Sequence, residues 1–128
     1  MIVDSSAIVA IVFKQPGYEE LLSRMESAPT TAAGAPTLAE TGIVLSARLG
    51  ELADELLERL IDELEIQEIP FGELHWRESV EAYRRFGRGR HPASLNFGDC
   101  MTYAVATLTA EPLLFVGRNF SKTDVKVA

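Results

Sequence analysis

The sequence predicts an α/β protein in which helices cover a central, largely parallel sheet. Two kinds of segment support this fold class. Short apolar runs that suit buried strands alternate along the chain with longer segments whose apolar residues recur every three or four positions. This alternation is typical of parallel sheets, because successive parallel strands must be joined by a crossover, which is usually a helix.

Length and composition describe one ordinary globular domain over residues 1–128. A chain of 128 residues that is 47% hydrophobic and 24% charged has enough apolar material for a sizeable core. Its net charge of −7 argues against broad, non-specific nucleic-acid binding, although a local basic patch could still serve. One cysteine cannot form an internal disulfide, which predicts a cytoplasmic location. No apolar run is long enough to span a membrane, and the start MIVDSS lacks the basic residues of a secretion signal.

The first third of the chain predicts two strands and two helices. Residues 1–3 fit a buried first strand, and a short helix follows over residues 7–13 with Asp4 or Ser5 near its cap. The amphipathic stripe of the second helix contains Tyr18, Leu21, Leu22 and Met25. The small-residue run 30–35 predicts the second strand.

The middle of the chain predicts two helices, a strand and a further helix. Thr37 and Glu40 match a capping box that would open a helix, and Gly50 is expected to end it. A clear helical stripe follows over residues 53–64, and alternating apolar and polar side chains over residues 66–71 predict the third strand. The next helix is expected to bury a face formed by Trp76, Val80 and Tyr83.

The helix predicted over residues 95–107 organises the rest of the chain. Asn96 is placed as its N-cap, and Asp99 lies in its first turn. Apolar residues on two sides predict burial from several directions. They are Met101, Ala104, Val105 and Leu108 on one side and Phe97, Cys100 and Tyr103 on the other. A buried strand over residues 113–116 and a short closing strand over residues 125–127 follow.

The predicted fold places three acidic residues, Asp4, Glu40 and Asp99, at related positions. Asp4 directly follows the first strand, whereas Glu40 and Asp99 lie in the first turns of later helices. In an open parallel sheet, such positions face the crevice at the carboxyl ends of the strands. Carboxylates gathered there repel one another unless a cation neutralises them, and hard oxygen ligands suit Mg²⁺ or Mn²⁺. Each acid alone is also explained as a helix cap, so the metal-site hypothesis depends on their clustering.

The sequence lacks the motifs of several other sites. It contains no GxxxxGK[ST] phosphate loop, no Cys/His spacing for zinc and no GxSxG nucleophile elbow. Cys100 is expected to be a core thiol, although its position in a first turn could lower its pKa. Of the two histidines, His75 is expected at the surface and His91 in a loop where it could touch a substrate.

A basic segment, YRRFGRGRH, precedes the helix that carries Asp99. Arg84 and Arg85 are interpreted as a solvated helix end. Arg88 and Arg90 lie in a loop punctuated by glycines, which favours contact with phosphates.

Four segments occur in an order that carries a family resemblance. They are MIVDSSAIVAI, PTLAETGIVLSARLG, YRRFGRGRHPASLNFGDCMTYAVA and PLLFVGRNFSKTDV. Together they resemble a PIN-domain ribonuclease, specifically a VapC-type toxin. The resemblance implies a PIN-like α/β/α sandwich, Mg²⁺- or Mn²⁺-dependent endonuclease activity on RNA, a cognate antitoxin and a homodimer. It also implies that Asp4, Glu40 and Asp99 are the catalytic acids, with Asp4 and Asp99 as metal ligands, and that Ser6 and Asn96 support them.

One motif departs from the family pattern. The family usually carries a fourth acid in a G-x-D-F motif, where this chain has Gly117, Arg118, Asn119 and Phe120. Asn119 offers a carbonyl oxygen without a charge, and Asp124 is a candidate substitute acid. Arg118 adds a positive charge that could hold the RNA backbone together with Arg88 and Arg90.

These observations lead to a metal-dependent RNA endonuclease as the first hypothesis. The alternative is an RNA- or antitoxin-binding PIN module with weakened or no turnover, because the fourth acid is replaced by Asn119. A magnesium phosphatase or phosphotransfer domain is disfavoured, since the chain lacks a D-x-D motif after the first strand and a phosphate-loop lysine.

Overall fold

The computed structural model describes residues 1–128 as strands and helices that alternate around one sheet. The strands are β1 (Ile2–Val3), β2 (Thr31–Gly34), β3 (Ile66–Ile69) and β4 (Leu113–Leu114). The helices are α1 (Ser5–Val12), α2 (Tyr18–Ser27), α3 (Ala35–Leu49), α4 (Leu52–Glu63), α5 (Glu73–Phe86) and α6 (Phe97–Thr109). A single 3₁₀ turn, Phe120–Lys122, follows β4. None of the helices combines the length and the apolar character that a membrane span requires.

The sheet is parallel throughout, with the strand order β3-β2-β1-β4. Strand β1 is central, because Ile2 pairs with Ala32 of β2 on one side and with Leu113 of β4 on the other. Each crossover between successive strands contains two helices. The predicted α/β fold with a largely parallel sheet is therefore confirmed.

Helices cover both faces of the sheet because successive residues of a strand point to opposite sides. Ile2 belongs to the buried cluster that includes residues of α5 and α6, whereas Val3 belongs to the cluster that includes residues of α1 and α2. Gly34 allows α6 to lie directly on β2, since a Cβ atom there would come within 2.8 Å of Val105 Cγ2. The result is an α/β/α sandwich.

Helix α3 begins earlier than predicted, and the capping box assigned to Thr37 and Glu40 is wrong. Gly34 is the N-cap, and Pro36 lies in the first turn, where a missing N–H costs the helix no hydrogen bond. Thr37 and Glu40 consequently lie inside the helix, and their side chains are available for contacts with other elements. Gly50 ends α3 with φ of 60°, as predicted.

Helix α5 buries a different face from the predicted one. Its buried residues are Ala82 and Phe86, which belong to the same cluster as Tyr103 of α6. The residues of the predicted face are partly exposed, at 49% for Trp76, 41% for Val80 and 47% for Tyr83. Phe97 is 82% exposed, so α6 is open on this side and is not buried from every predicted direction. An amphipathic pattern identifies the apolar side of a helix, but it does not decide whether another element covers that side.

The ends of several predicted elements also differ. Strand β3 ends at Ile69 rather than at residue 71, and β4 ends at Leu114 rather than at residue 116. Helix α6 begins at Phe97 rather than at residue 95, because Asn96 is its N-cap. The predicted closing strand over residues 125–127 is reduced to one parallel bridge between Leu113 and Val127.

Candidate active site

Asp4 lies at the carboxyl end of β1, where it is the N-cap of α1. Its Oδ2 atom accepts hydrogen bonds from Ser6 N at 3.1 Å and from Ser6 Oγ at 2.6 Å. Its Oδ1 atom accepts a hydrogen bond from Thr102 Oγ1 at 2.9 Å, and Thr37 Oγ1 lies 3.1 Å from Thr102 Oγ1. Because Asp4 is only 4% exposed, this network holds its carboxylate in one orientation.

Glu40 extends from α3 toward the first turn of α6. Its Oε1 atom accepts a hydrogen bond from Ser5 Oγ at 2.5 Å. A Cβ atom added to Gly98 would overlap Glu40 Oε2 and lie 3.0 Å from Glu40 Cδ. The absence of a side chain at position 98 therefore lets the Glu40 carboxylate lie against α6, one residue away from Asp99.

Asp99 occupies the third position of α6 and forms a reciprocal capping box with Asn96. Asp99 N donates to Asn96 Oδ1 at 2.9 Å, and Asn96 N donates to Asp99 Oδ2 at 3.1 Å. Burial raises the pKa of Asp99, and the charges of Asp4 and Glu40 raise it further, whereas hydrogen bonds from Asn96 and Asn119 oppose this rise. The carboxylates that were expected at the crevice are thus close enough to influence one another.

This donor set fits a hard divalent cation in chemical type. Carboxylate oxygens are the ligands that Mg²⁺ and Mn²⁺ prefer. As placed, no three His, Cys, Asp or Glu side chains form a closed group of metal ligands. An ion at this site would accordingly depend on water for part of its coordination, as is usual for Mg²⁺.

The sequence motifs did not predict two hydroxyl groups that lie at the site. Thr102 binds the Asp4 carboxylate, and Ser5 binds Glu40. Thr102 was detectable, because it lies three residues after Asp99 and therefore near the same face of the helix. Ser6 has the expected supporting position, and its Oγ atom also accepts a hydrogen bond from Val116 N at 3.0 Å.

Asp124, the candidate substitute for the fourth acid, has other partners in the structure. Its Oδ1 atom accepts a hydrogen bond from the Tyr103 hydroxyl at 2.5 Å, and its Oδ2 atom forms an ion pair with Arg85 Nη2 at 2.9 Å. These two bonds hold Asp124 beside Tyr103, which points about 100° around α6 from Thr102. Arg85 is therefore more than a solvated helix end. Asn119, in contrast, is placed so that its side chain helps to lower the pKa of Asp99.

The remaining candidates from the sequence are the three arginines that were expected to bind the RNA backbone. Arg88 lines an open groove that also contains Asn96 and Phe97. Arg90 and Arg118 are exposed, and neither forms an ion pair.

Two further residues have structural roles. The His91 ring packs edge-on against Phe86, and its Nδ1 atom accepts a hydrogen bond from Ala93 N at 3.0 Å. Cys100 is buried, and burial together with the nearby Asp99 charge raises the pKa of its thiol to about 11. Cys100 is therefore the core thiol that was expected.

Comparison with known proteins places the chain in a family. A family profile described as PIN domain matches residues 1–126. VapC ribonuclease Mb2004c of Mycobacterium bovis is 44% identical over 127 residues, which cover 98% of this chain and 91% of that protein. Ribonuclease VapC42 of Mycobacterium tuberculosis is 41% identical over 129 residues, which cover 100% of this chain and 98% of that protein.

Solved structures agree on the fold. The crystal structure of Mycobacterium tuberculosis VapC20, described as a sarcin-ricin loop cleaving toxin, superposes with a TM-score of 0.80 at 16% identity and covers 99% of this chain and 97% of that chain. A toxin–antitoxin complex from Klebsiella pneumoniae superposes with a TM-score of 0.73 at 15% identity and covers 99% and 95% of the two chains. The resemblance read from the four sequence segments is confirmed, and the chain belongs to the PIN domain family, among its VapC-type members.

Proposed function

We propose that this protein is a Mg²⁺- or Mn²⁺-dependent endoribonuclease that acts as the toxin of a toxin–antitoxin pair. The observation that carries the proposal is the convergence of Asp4, Glu40 and Asp99 from three separate elements at one edge of the sheet. Relatives with 41–44% identity over nearly the whole chain are named ribonucleases, which supports RNA as the substrate.

In this proposal, Asp4 and Asp99 would hold the ion, and Glu40 would help to hold it, either directly or through a water molecule. The bound ion supplies two things: activation of water and neutralisation of charge on the phosphodiester. Ser6 and Thr102 keep the Asp4 carboxylate in place through the hydrogen bonds described above.

The remaining polar residues bind the RNA or orient the acids. Asn96 fixes the Asp99 carboxylate through the capping box, and Asn119 lies beside it. Arg88, Arg90 and Arg118 contact backbone phosphates, for which their exposed guanidinium groups are suited.

Replacement of the fourth acid by Asn119 favours one second candidate function. A site with one carboxylate fewer attracts a divalent ion less strongly. The chain would then be an RNA- or antitoxin-binding PIN module with weakened or no turnover.

We also propose a cognate antitoxin and a homodimer as protein partners, and the cytoplasm as the location. The neighbouring structures include a toxin–antitoxin complex from Klebsiella pneumoniae and VapBC2 from Rickettsia felis bound to a promoter fragment. The single buried cysteine agrees with a reducing compartment.

Cleavage of structured RNAs by the purified protein, with Mn²⁺ and with EDTA, tests the enzymatic proposal. Asp4→Asn and Asp99→Asn are expected to remove cleavage and to weaken Mn²⁺ binding in calorimetry. Asp62→Asn, at an exposed position on α4, is the matched control and is expected to keep both cleavage and Mn²⁺ binding. Full cleavage by either site variant at saturating Mn²⁺ would refute the assignment. RNA binding without cleavage by the unmodified protein would support the binding module instead.

A further inference from the structure

Residues 115–126 form a loop that brings Asn119 to the acidic site. The chain leaves the sheet after Leu114 and returns to β4 at Val127. Within this loop, which we call the β4 loop, the 3₁₀ turn Phe120–Lys122 is the only regular element. The position of the loop over the site therefore depends on its contacts with other parts of the molecule.

One of these contacts lies at the acidic site itself. Val116 N donates a hydrogen bond of 3.0 Å to Ser6 Oγ, and Ser6 Oγ donates one of 2.6 Å to Asp4 Oδ2. One serine hydroxyl therefore joins the loop to a proposed metal ligand. Gly117 follows with φ of 105°, which side chains rarely allow, so the chain turns sharply just before Asn119.

The other end of the β4 loop is held by three side chains, Arg85, Tyr103 and Asp124, which we call the clamp. The Tyr103 hydroxyl donates to Asp124 Oδ1 at 2.5 Å, and Arg85 Nη2 donates to Asp124 Oδ2 at 2.9 Å. Arg85 Nη1 also donates to the Tyr103 hydroxyl at 3.3 Å, so each member contacts the other two. Because both oxygens of Asp124 have partners, its carboxylate is fixed in direction.

Tyr103 joins the clamp to the acidic site, because it lies four residues after Asp99 on α6. Residues four apart in a helix lie on the same side, about 6 Å apart along the axis. The β4 loop matches this spacing, since the Asn119 side chain is close enough to lower the pKa of Asp99 and Asp124 contacts Tyr103. Tyr103 is only 1% exposed, so its hydroxyl is a fixed point of attachment in a close-packed interior.

We propose that Arg85, Tyr103 and Asp124 are positioning residues that hold the β4 loop in register with the acids of α6. Through the loop, the clamp keeps Asn119 beside Asp99, although Asp124 itself is bound elsewhere on α6. This assignment rests on the proposed metal-dependent ribonuclease function and adds three residues that act on the site through another segment of the chain.

Phe120 also anchors the loop, but it cannot replace the clamp. The residue is 3% exposed, and its ring centre lies 5.3 Å from that of Phe115. Apolar contact is non-directional, so a buried ring fixes how deep a segment lies rather than its position along a helix. Hydrogen bonds are directional, so the clamp fixes the loop along α6.

Tyr103→Phe is the smallest change that tests the clamp, because it removes one hydroxyl and keeps the buried ring. Amide hydrogen exchange is measured by NMR in EDTA. The amide of Val116 is expected to exchange at least tenfold faster than in the unmodified protein, whereas amides of β2 should change less than threefold, because loops open locally without global unfolding. An unchanged rate at Val116, or equal acceleration in β2, would overturn the proposal.

The consequence for the site is measured as Mn²⁺ affinity by calorimetry. Tyr103→Phe is expected to weaken binding about tenfold, the lower end of the usual effect of groups that orient metal ligands. In an Asn119→Ala background it should cause little further loss, because the clamp acts through Asn119. Unchanged affinity, or losses that add in the double variant, would overturn the positioning role.

Two more variants complete the comparison. Thr109→Val removes a hydroxyl from the same helix that bonds only to carbonyls of α6, and this matched control should keep both the exchange rate of Val116 and the Mn²⁺ affinity. Arg85→Gln repeats the test at a partly exposed side chain, where loss of folding is not an explanation, and should act in the same direction as Tyr103→Phe. No effect of Arg85→Gln on either measurement would remove Arg85 from the clamp.

The same samples distinguish failure of this inference from failure of the proposed function. Faster exchange at Val116 and weaker Mn²⁺ binding in Tyr103→Phe, with no RNA cleavage by the unmodified protein, would support the clamp and count against the enzymatic activity. Cleavage by the unmodified protein, with no change in exchange or Mn²⁺ affinity in Tyr103→Phe, would keep the enzyme and overturn the clamp.

Discussion

Gly98→Ala is predicted to separate activity from stability, because position 98 faces Glu40 and not the hydrophobic core. The added Cβ atom would overlap Glu40 Oε2 and would lie 3.0 Å from Cδ and 3.2 Å from Oε1. The end of a glutamate side chain is flexible, so the carboxylate moves and α6 does not. The move breaks the 2.5 Å hydrogen bond from Ser5 Oγ and displaces Glu40 from its place beside Asp99.

The stability change is expected to be small because two effects oppose each other. Alanine is favoured over glycine in a helix by about 1 kcal/mol, and less in a first turn. Loss of a hydrogen bond to a charged group costs about 1.5–3 kcal/mol when no water replaces it, and Glu40 is exposed enough for water to replace part of it. The net loss in free energy of unfolding should therefore stay below about 2 kcal/mol. Cleavage should fall by about 10- to 100-fold, the usual effect of disturbing a group that tunes a metal site.

The assay compares cleavage rates at saturating Mn²⁺ with urea unfolding in EDTA. Gly42→Ala is the matched control, since its Cβ atom would make an ordinary 3.5 Å contact with Leu57 Cδ2 and would leave Glu40 undisturbed. In a Glu40→Gln background, Gly98→Ala should cause little further loss of activity. A Gly98→Ala protein with the full rate would refute the reasoning that the Glu40 carboxylate must lie where the structure has it.

Three further perturbations test the arginines, position 119 and the C-terminal segment. Replacing both Arg88 and Arg90 by alanine should weaken RNA binding and should reduce the salt dependence of the affinity by about one unit of slope per lost phosphate contact. Filter binding across a KCl series measures this slope. An unchanged slope would mean that neither arginine contacts phosphate. Asn119→Asp should tighten Mn²⁺ binding and raise cleavage at low Mg²⁺. It should also lower the melting temperature in EDTA, because the added charge then has no counter-ion. Changes in melting temperature of the same sign with Mn²⁺ and with EDTA would contradict this. Asp124→Asn should destabilise the protein near neutral pH, because the hydrogen bond from Tyr103 lowers the pKa of Asp124 and thereby stabilises the fold while Asp124 is ionised. This stabilisation is present above the unfolded-state pKa and is lost as the pH falls through the lower folded-state pKa. The difference in free energy of unfolding between the variant and the unmodified protein should therefore shrink below about pH 4, as urea titrations would show.

Local patterns in the sequence determined the order of elements and several of their ends. A short apolar run predicted β1, and the caps at Asn96 and Gly50 were correctly placed, because a cap depends on residues within one helical turn. The alternation of strands and helices determined the parallel sheet, since parallel strands require crossovers. The expectation that Asp4, Glu40 and Asp99 cluster followed from the same topology.

The tertiary structure alone decided which side chains meet across long stretches of sequence. Thr102 binds Asp4, which lies 98 residues earlier, and Arg85 pairs with Asp124, which lies 39 residues later. The capping motif at Glu40 was a sound local pattern, but Ser5 offered the carboxylate a partner that only the packing of α1 against α3 brings within reach. The same limit applies to Trp76, because periodicity determines which face of a helix is apolar, whereas the path of the whole chain determines whether that face is covered.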